Sequence, residues 1–143
     1  MNQGHCYKLF TDKMDFADAE MKCFSENAIL AKPVTFTQAQ FIESFTRFEL
    51  EKNDNVTDAI DVYLGYHRWD EETDAFELLK EGFDLDSDAD FKQQCLSMKF
   101  ENGSHKGWTW SFCDTLGGFV CQKSKASLYI CWSVMCRFPL KVQ

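Results

Sequence analysis

A run of four carboxylates in segment 84–90 is the densest group of potential metal ligands in the sequence. Asp84, Asp86, Asp88 and Asp90 stand at alternate positions. Calcium prefers such oxygen ligands. The run is not an EF-hand, because its sixth position is Ala89 where glycine is required and its twelfth is Cys95 where glutamate belongs. Two interpretations stay open: a noncanonical calcium site, whose first three aspartates would also contact a ligand, or a solvated acidic loop.

Seven cysteines are the second chemical feature of this 143-residue chain. They are Cys6, Cys23, Cys95, Cys113, Cys121, Cys131 and Cys136. No two of them form a C-x-x-C pair, so the usual zinc-ribbon and thioredoxin spacings are absent. So many cysteines in so short a chain indicate disulfides in a secreted or extracellular protein.

Two glycosylation sequons fit the same compartment. Asn55 and Asn102 are the candidate acceptors, in Asn55-Val56-Thr57 and Asn102-Gly103-Ser104. The chain starts without a signal peptide, as a trimmed chain or a module of a longer protein would. The longest apolar run, residues 128–136, falls short of the roughly 20 residues that a membrane span needs.

The composition argues against catalysis and nucleic-acid binding. His5, His67 and His105 are the only histidines, and each stands beside turn-like polar residues. Neither phosphate-binding motif, G-x-x-x-x-G-K-[ST] or G-x-G-x-x-G, occurs. A net charge of -8 without a Lys/Arg cluster repels phosphate backbones and anionic lipid headgroups. The sequence therefore predicts a binding protein that is not an enzyme.

Two amphipathic helices followed by short strands must position these residues. The first helix is predicted from Asp15 to about Asn27, and its apolar face is expected to hold Phe16, Ala19, Cys23 and Phe24. The second is predicted over residues 37–51 with Thr37 as its N-cap. Strands are predicted at 6–10, 62–66, 76–78, 95–100, 108–110 and 119–122. The order predicts one α+β domain with an antiparallel sheet over residues 1–123, and an appendage of unknown structure over 124–143.

These elements and cysteines together resemble the C-type lectin-like domain. The matching segments are Phe16-x-x-Ala19-x-x-x-Cys23 with Leu30-Ala31, Tyr63-Leu64-Gly65-Tyr66, Cys95, Gly107-Trp108-x-Trp110-x-x-Cys113 and Gly118-Phe119-Val120-Cys121. The resemblance covers residues 6–122. It implies a fold with two helices, small sheets and a looped-back pair of ends, closed by the disulfides Cys23–Cys121 and Cys95–Cys113.

The resemblance also implies a calcium-dependent sugar site, but this sequence departs from the family's ligand pattern. The family uses a Glu-Pro-Asn or Gln-Pro-Asp triplet and a Trp-Asn-Asp triplet. Here Trp108-Thr109-Trp110 stands at the second triplet, and no proline lies between Gly65 and Cys95. Trp108 is expected in the core. Trp110 is either in the core or exposed, and together with Thr109 it is a candidate ligand contact.

The sequence thus predicts an extracellular recognition domain that binds a carbohydrate or glycoconjugate, with calcium as the one possible cofactor. A calcium-independent protein-binding module is the alternative, and a structural secreted or matrix protein is a third. Cys6 resembles the second cysteine of an N-terminal pair in longer family members. Three alternatives remain for Cys6: a disulfide with Cys131 or Cys136, a disulfide to a second chain in a dimer, or a free thiol.

Overall fold

A mixed sheet with two helices forms the described part of the chain. The computed structural model of the protein describes residues 5–52, 59–67, 93–102 and 104–124. The elements are β1 (His5–Met14), α1 (Phe16–Ser25), β2 (Ile29–Leu30), α2 (Phe36–Glu51), β3 (Ile60–His67), β4 (Gln93–Glu101), β5 (Ser104–Phe112) and β6 (Gly117–Ser124). The two predicted helices are confirmed. The strand predicted at 76–78 lies outside the described residues. None of the described helices is long and apolar enough to cross a membrane.

The first helix begins and ends where the sequence indicates. The backbone of Asp15 is extended, and its carboxylate accepts a hydrogen bond from the Asp18 amide at 2.8 Å, which satisfies one of the free amides of the first turn. Beyond the last turn, Asn27 has a φ of 60°, a left-handed conformation that asparagine tolerates better than most residues.

The second helix begins earlier than predicted, because its N-cap is Thr35. The Thr35 side chain accepts a hydrogen bond from the Gln38 amide at 3.1 Å, and the Gln38 side chain accepts one from the Val34 amide at 2.8 Å. Thr37, the predicted N-cap, lies inside the first turn and is exposed. The apolar periodicity does not locate this start, since Phe36 is itself exposed and adds nothing to the buried face.

The sheet follows the order β1-β6-β3-β4-β5, with β2 paired to the end of β6. Its pairs are antiparallel except for β3 with β6, which run parallel through Val62↔Gly118 and Tyr63↔Phe119. The predicted antiparallel sheet thus contains one parallel pair. A parallel pair requires a long connection, and the chain from β3 to β6 is long enough because β4 and β5 lie within it.

The buried side chains form two clusters on opposite faces of the sheet. Val62, Leu64 and Tyr66 of β3 belong to the larger cluster, which α2 covers, whereas Tyr63 belongs to the smaller cluster beside α1. This division follows from the alternation of side chains along a strand. Each helix thus packs against one face.

Gly65 allows β3 to lie close to the segment that follows β2. Its amide donates a hydrogen bond to the Ala31 carbonyl at 2.8 Å. A Cβ atom at position 65 would lie 2.8 Å from the Leu30 carbonyl oxygen and 2.8 Å from Cγ of Lys32. The backbone oxygen cannot yield as a flexible side chain would, so glycine is required here for close approach.

Both predicted disulfides are present. Cys23–Cys121 joins α1 to β6 with a Cα–Cα distance of 5.5 Å, and Cys95–Cys113 joins β4 to the turn after β5 at 5.2 Å. Cys6 is buried and disulfide-bonded, and its partner lies outside the described residues. No described cysteine is free. The predicted domain boundary after residue 123 stays a prediction, because the tail beyond Ser124 lies outside the described residues.

Candidate functional site

The β5 strand carries the Trp-Thr-Trp segment that stands at the predicted ligand position. Trp108 and Trp110 are each 3% exposed and both belong to the larger core cluster. They lie opposite Met98 and Leu96 of β4 in the antiparallel register. Trp108 therefore has the predicted core position. Trp110 is buried too, so the exposed position that a ligand contact by Trp110 requires is not found.

Thr109 points to the other face of β5. It lies opposite Ser97, and its hydroxyl is 3.4 Å from the Trp110 carbonyl oxygen. On the same face the hydroxyls of Ser97 and Ser111 form a buried hydrogen bond of 2.8 Å. This face of β5 offers neutral hydroxyls, whereas a hard cation is held mainly by carboxylate and carbonyl oxygens.

The structure does not describe the acidic segment of the sequence. Asp84, Asp86, Asp88 and Asp90, predicted to bind calcium or a ligand, fall outside the described residues, as does the sequon at Asn55. Among the residues that the structure describes, no group of three or more His, Cys, Asp or Glu side chains could hold a metal ion. Asn102 is exposed at the turn between β4 and β5.

The histidines lie at or near strand ends, as the sequence indicates. His5 begins β1 and His67 ends β3. His105 lies near the start of β5, and its Nδ1 atom is 2.8 Å from a carboxylate oxygen of Glu43 on α2. The His105 ring also packs against the rings of Phe100 and Trp108, at centroid distances of 5.0 Å and 5.8 Å. This imidazole joins the second helix to the sheet.

Tyr63 fixes the turn between β5 and β6. Its hydroxyl lies 2.8 Å from the carbonyl oxygen of Phe112 and 2.6 Å from that of Thr115, so it can donate to either. The amide of Phe16 donates to the Cys113 carbonyl at 2.9 Å. Burial, followed by the charge of Asp61, raises the pKa of the Tyr63 hydroxyl above its usual range.

An exposed apolar surface on α1 and β2 is a feature that the sequence analysis missed. We call it the α1–β2 surface; it consists of Met21, Phe24 and Ile29, which are 67%, 74% and 49% exposed. The prediction that Phe24 lies on the buried face of α1 is wrong. Phe24 follows Cys23 by one position, which rotates it about 100° away from the buried side chains of the helix. The only sequence signal of this exposed surface was the spacing of Met21 and Phe24, which stand three residues apart and so lie side by side on the helix.

Two open clefts flank the α1–β2 surface and share Phe24, Ala28 and Ile29. One has a volume of about 350 Å³ and reaches Lys32 and Gly65. The other, of about 480 Å³, reaches Lys123 and Ser124. Exposed apolar side chains beside concave surfaces are typical of contact sites.

Comparison with known proteins identifies the family. The family model described as Lectin C-type domain matches residues 12–123. The chain belongs to the C-type lectin domain family. A search of curated protein sequences found no match.

Solved C-type lectin folds resemble this chain at low sequence identity. A herring type II antifreeze protein is 20% identical with a TM-score of 0.61, over 87% of this chain and 94% of that one. The C-type lectin domain of murine dendritic cell inhibitory receptor 2, solved in complex with N-glycan, is 19% identical with a TM-score of 0.62, over 85% and 92%. Human lithostathine is 18% identical with a TM-score of 0.62, over 87% and 86%. At such identity the likeness shows the fold alone.

Membership in the C-type lectin domain family gives the coarse function. Domains of this family bind glycans or proteins and are in general not enzymes. Within the family this chain departs from the usual calcium ligands at Trp108, Thr109 and Trp110. In the structure the two tryptophan side chains lie in the core, and the Thr109 hydroxyl lies on the opposite face of β5.

Proposed function

We propose that this C-type lectin domain is an extracellular recognition module that binds a protein ligand without calcium. The observation that carries the proposal is the burial of Trp108 and Trp110 at the position of the family's second ligand triplet. No Asp, Glu, Asn or Gln occurs in β5, so the strand supplies no carboxylate or amide oxygen for a hard cation.

The α1–β2 surface supports a protein as the ligand. Phe24 is the most exposed of its apolar side chains, and clefts lie on both sides of it. Large side chains of this kind contribute much of the binding energy in protein interfaces, where a partner removes them from water. We therefore expect Phe24 to be a central contact of the ligand.

A carbohydrate or glycoconjugate is the second candidate ligand. The observation that favours it is the row of alternating carboxylates Asp84, Asp86, Asp88 and Asp90, which could hold calcium outside the usual triplets. The murine receptor domain solved in complex with N-glycan shares the fold. Under this proposal Thr109 would join the aspartates in the ligand site.

A cell-binding assay separates the two ligands. Fluorescent, disulfide-intact chain is applied to a panel of cell lines with calcium or with a chelator, after glycosidase or protease treatment of the cells. We expect saturable binding that survives the chelator and the glycosidase and is lost after protease. Binding abolished by the chelator or by the glycosidase would instead support the glycan candidate, and a purely structural protein would show no saturable binding.

The contact residue is tested with a matched pair of variants. Phe24→Ser should weaken binding by about tenfold or more, because it removes an exposed apolar anchor. Phe48→Ser is the control, since Phe48 is 58% exposed on α2, across the sheet from α1. Equal binding by both variants would contradict a role for the α1–β2 surface.

A further inference from the structure

We propose that Asn102 carries an N-linked glycan, and that this glycan covers the end of the sheet opposite the α1–β2 surface. The inference deepens the proposed function and rests on its extracellular part, because the modification requires passage through the secretory pathway. It joins three observations: the sequon, the backbone conformation of Asn102 and the register of β3, β4 and β6.

The acceptor and the hydroxyl residue of the sequon are both open to solvent. Asn102 follows the last residue of β4, and Ser104 is the first residue of β5. Both side chains are exposed, and so is Glu101, which lies opposite Ser104 in the hairpin. A transferase can therefore reach the tip without opening the sheet.

The backbone explains why asparagine suits this turn even without a glycan. Asn102 has a φ of 54°, in the left-handed region that few residues other than glycine, asparagine and aspartate adopt readily. The Asn102 side chain thus has a conformational role as well as the proposed chemical one. An experiment must separate the two.

The strand register places Asn102 at one end of the sheet. Ile60 lies opposite Phe100 at that end, whereas His67 lies opposite Cys95 at the other, where the Cys95–Cys113 disulfide is found. A strand rises by about 3.3 Å per residue, so the nine residues of β4 separate the ends by roughly 26 Å.

The α1–β2 surface lies toward the end of the sheet at which His67 is found. Its clefts are lined by Gly65, near the end of β3, and by Gln122 and Ser124, near the end of β6. Because β6 runs parallel to β3, these residues share one end of the sheet. A glycan on Asn102 therefore leaves the α1–β2 surface open and covers the other end of the sheet, where His105 joins the start of β5 to α2 through Glu43.

Variants at the two ends of the sequon separate modification from folding. Ser104→Ala removes the sequon but keeps Asn102 in its turn. Asn102→Gly removes the acceptor but keeps a residue that tolerates positive φ. Ser104→Thr is the matched control, because it changes the same residue and retains the sequon. All variants are made in an Asn55→Gln background so that a second sequon does not contribute.

The test is secretion of the full chain from mammalian cells behind an added signal peptide, followed by glycosidase treatment and peptide mass analysis. We expect a glycan on the Asn55→Gln chain and on Ser104→Thr, and none on Ser104→Ala or Asn102→Gly. Cell binding should change by less than about twofold when the glycan is removed. A secreted chain with both disulfides formed and Asn102 unmodified would overturn the inference, as would retention of the chain in unmodified form.

Failure of this inference and failure of the proposed function give different results. An unmodified chain that still binds cells would overturn only the glycan at Asn102. A modified chain that binds no cell would overturn only the proposed ligand recognition. If removal of the glycan abolished binding, the modification would stand and its placement away from the ligand surface would be wrong.

Discussion

Tyr7 shows how the environment of one residue ties stability to pH. Its side chain is 1% exposed, and its ring packs against Phe41 and Phe45 at centroid distances of 5.5 Å and 6.3 Å. Burial of the hydroxyl raises the pKa of Tyr7 from its ordinary value of 10.0 to about 12. The phenolate is penalised because an apolar core cannot replace its hydration.

We expect the free energy of unfolding to fall in alkaline solution as the pH rises from 10 toward 12. The folded pKa of Tyr7 is raised, so its contribution is complete below the unfolded pKa and is lost as the pH rises through the folded one. Denaturant unfolding of the wild type and Tyr7→Phe across this range is the measurement. The variant should lose less stability, since the remaining alkaline loss would come from other groups such as Tyr63. Parallel pH profiles would show that Tyr7 contributes nothing.

At the scale of the element, the start of α2 depends on one hydroxyl. Thr35 accepts the hydrogen bond of an amide that has no partner within the helix, whereas Thr37, two residues later, is exposed in the first turn. Both residues are threonines and both precede an apolar pattern. The prediction of Thr37 as the N-cap is wrong because a threonine caps a helix only where its own backbone is extended, and of these two residues only Thr35 has that conformation.

Thr35→Ala should lower the free energy of unfolding by about 1 kcal/mol, since it removes the cap. Thr37→Ala is the matched control and should change it by less than about 0.5 kcal/mol, because an exposed threonine in a helix is replaced by a better helix former. Urea unfolding of the two variants measures the difference. If Thr37→Ala lowered the free energy of unfolding more than Thr35→Ala, Thr37 would be the N-cap instead.

At the scale of the whole molecule, the two disulfides constrain very different lengths of chain. Cys23 and Cys121 are separated by 98 residues, and Cys95 and Cys113 by 18. A crosslink that closes a longer loop removes more conformational entropy from the unfolded chain. The Cys23–Cys121 bridge also lies within the smaller core cluster, where it joins α1 to β6, an interior strand of the sheet.

Replacing Cys23 and Cys121 together by alanine should lower the free energy of unfolding by about 5 kcal/mol on the chain-entropy model, and replacing Cys95 and Cys113 by about 3 kcal/mol. Chemical denaturation of the two double variants under non-reducing conditions compares them. If loss of the shorter loop proved the more harmful, chain entropy would not be the main contribution of these bridges.

The elements that could be predicted from the sequence are those whose signals are local or carried by the family pattern. The apolar spacing from Phe16 to Cys23 predicted α1, the alternating residues around Val62 and Met98 predicted strands, and the resemblance implied both disulfides. These features depend on neighbours along the chain or on motifs that the chain retains. The α+β class and the family followed from them.

Which side chains face solvent could be read only from the folded chain. Trp110 is buried and Phe24 is exposed, although the sequence left the first undecided and placed the second in the core. The parallel pairing of β3 with β6 likewise joins residues more than 50 positions apart. Exposure and pairing depend on what the rest of the chain brings against a residue, and no short segment of sequence contains that information.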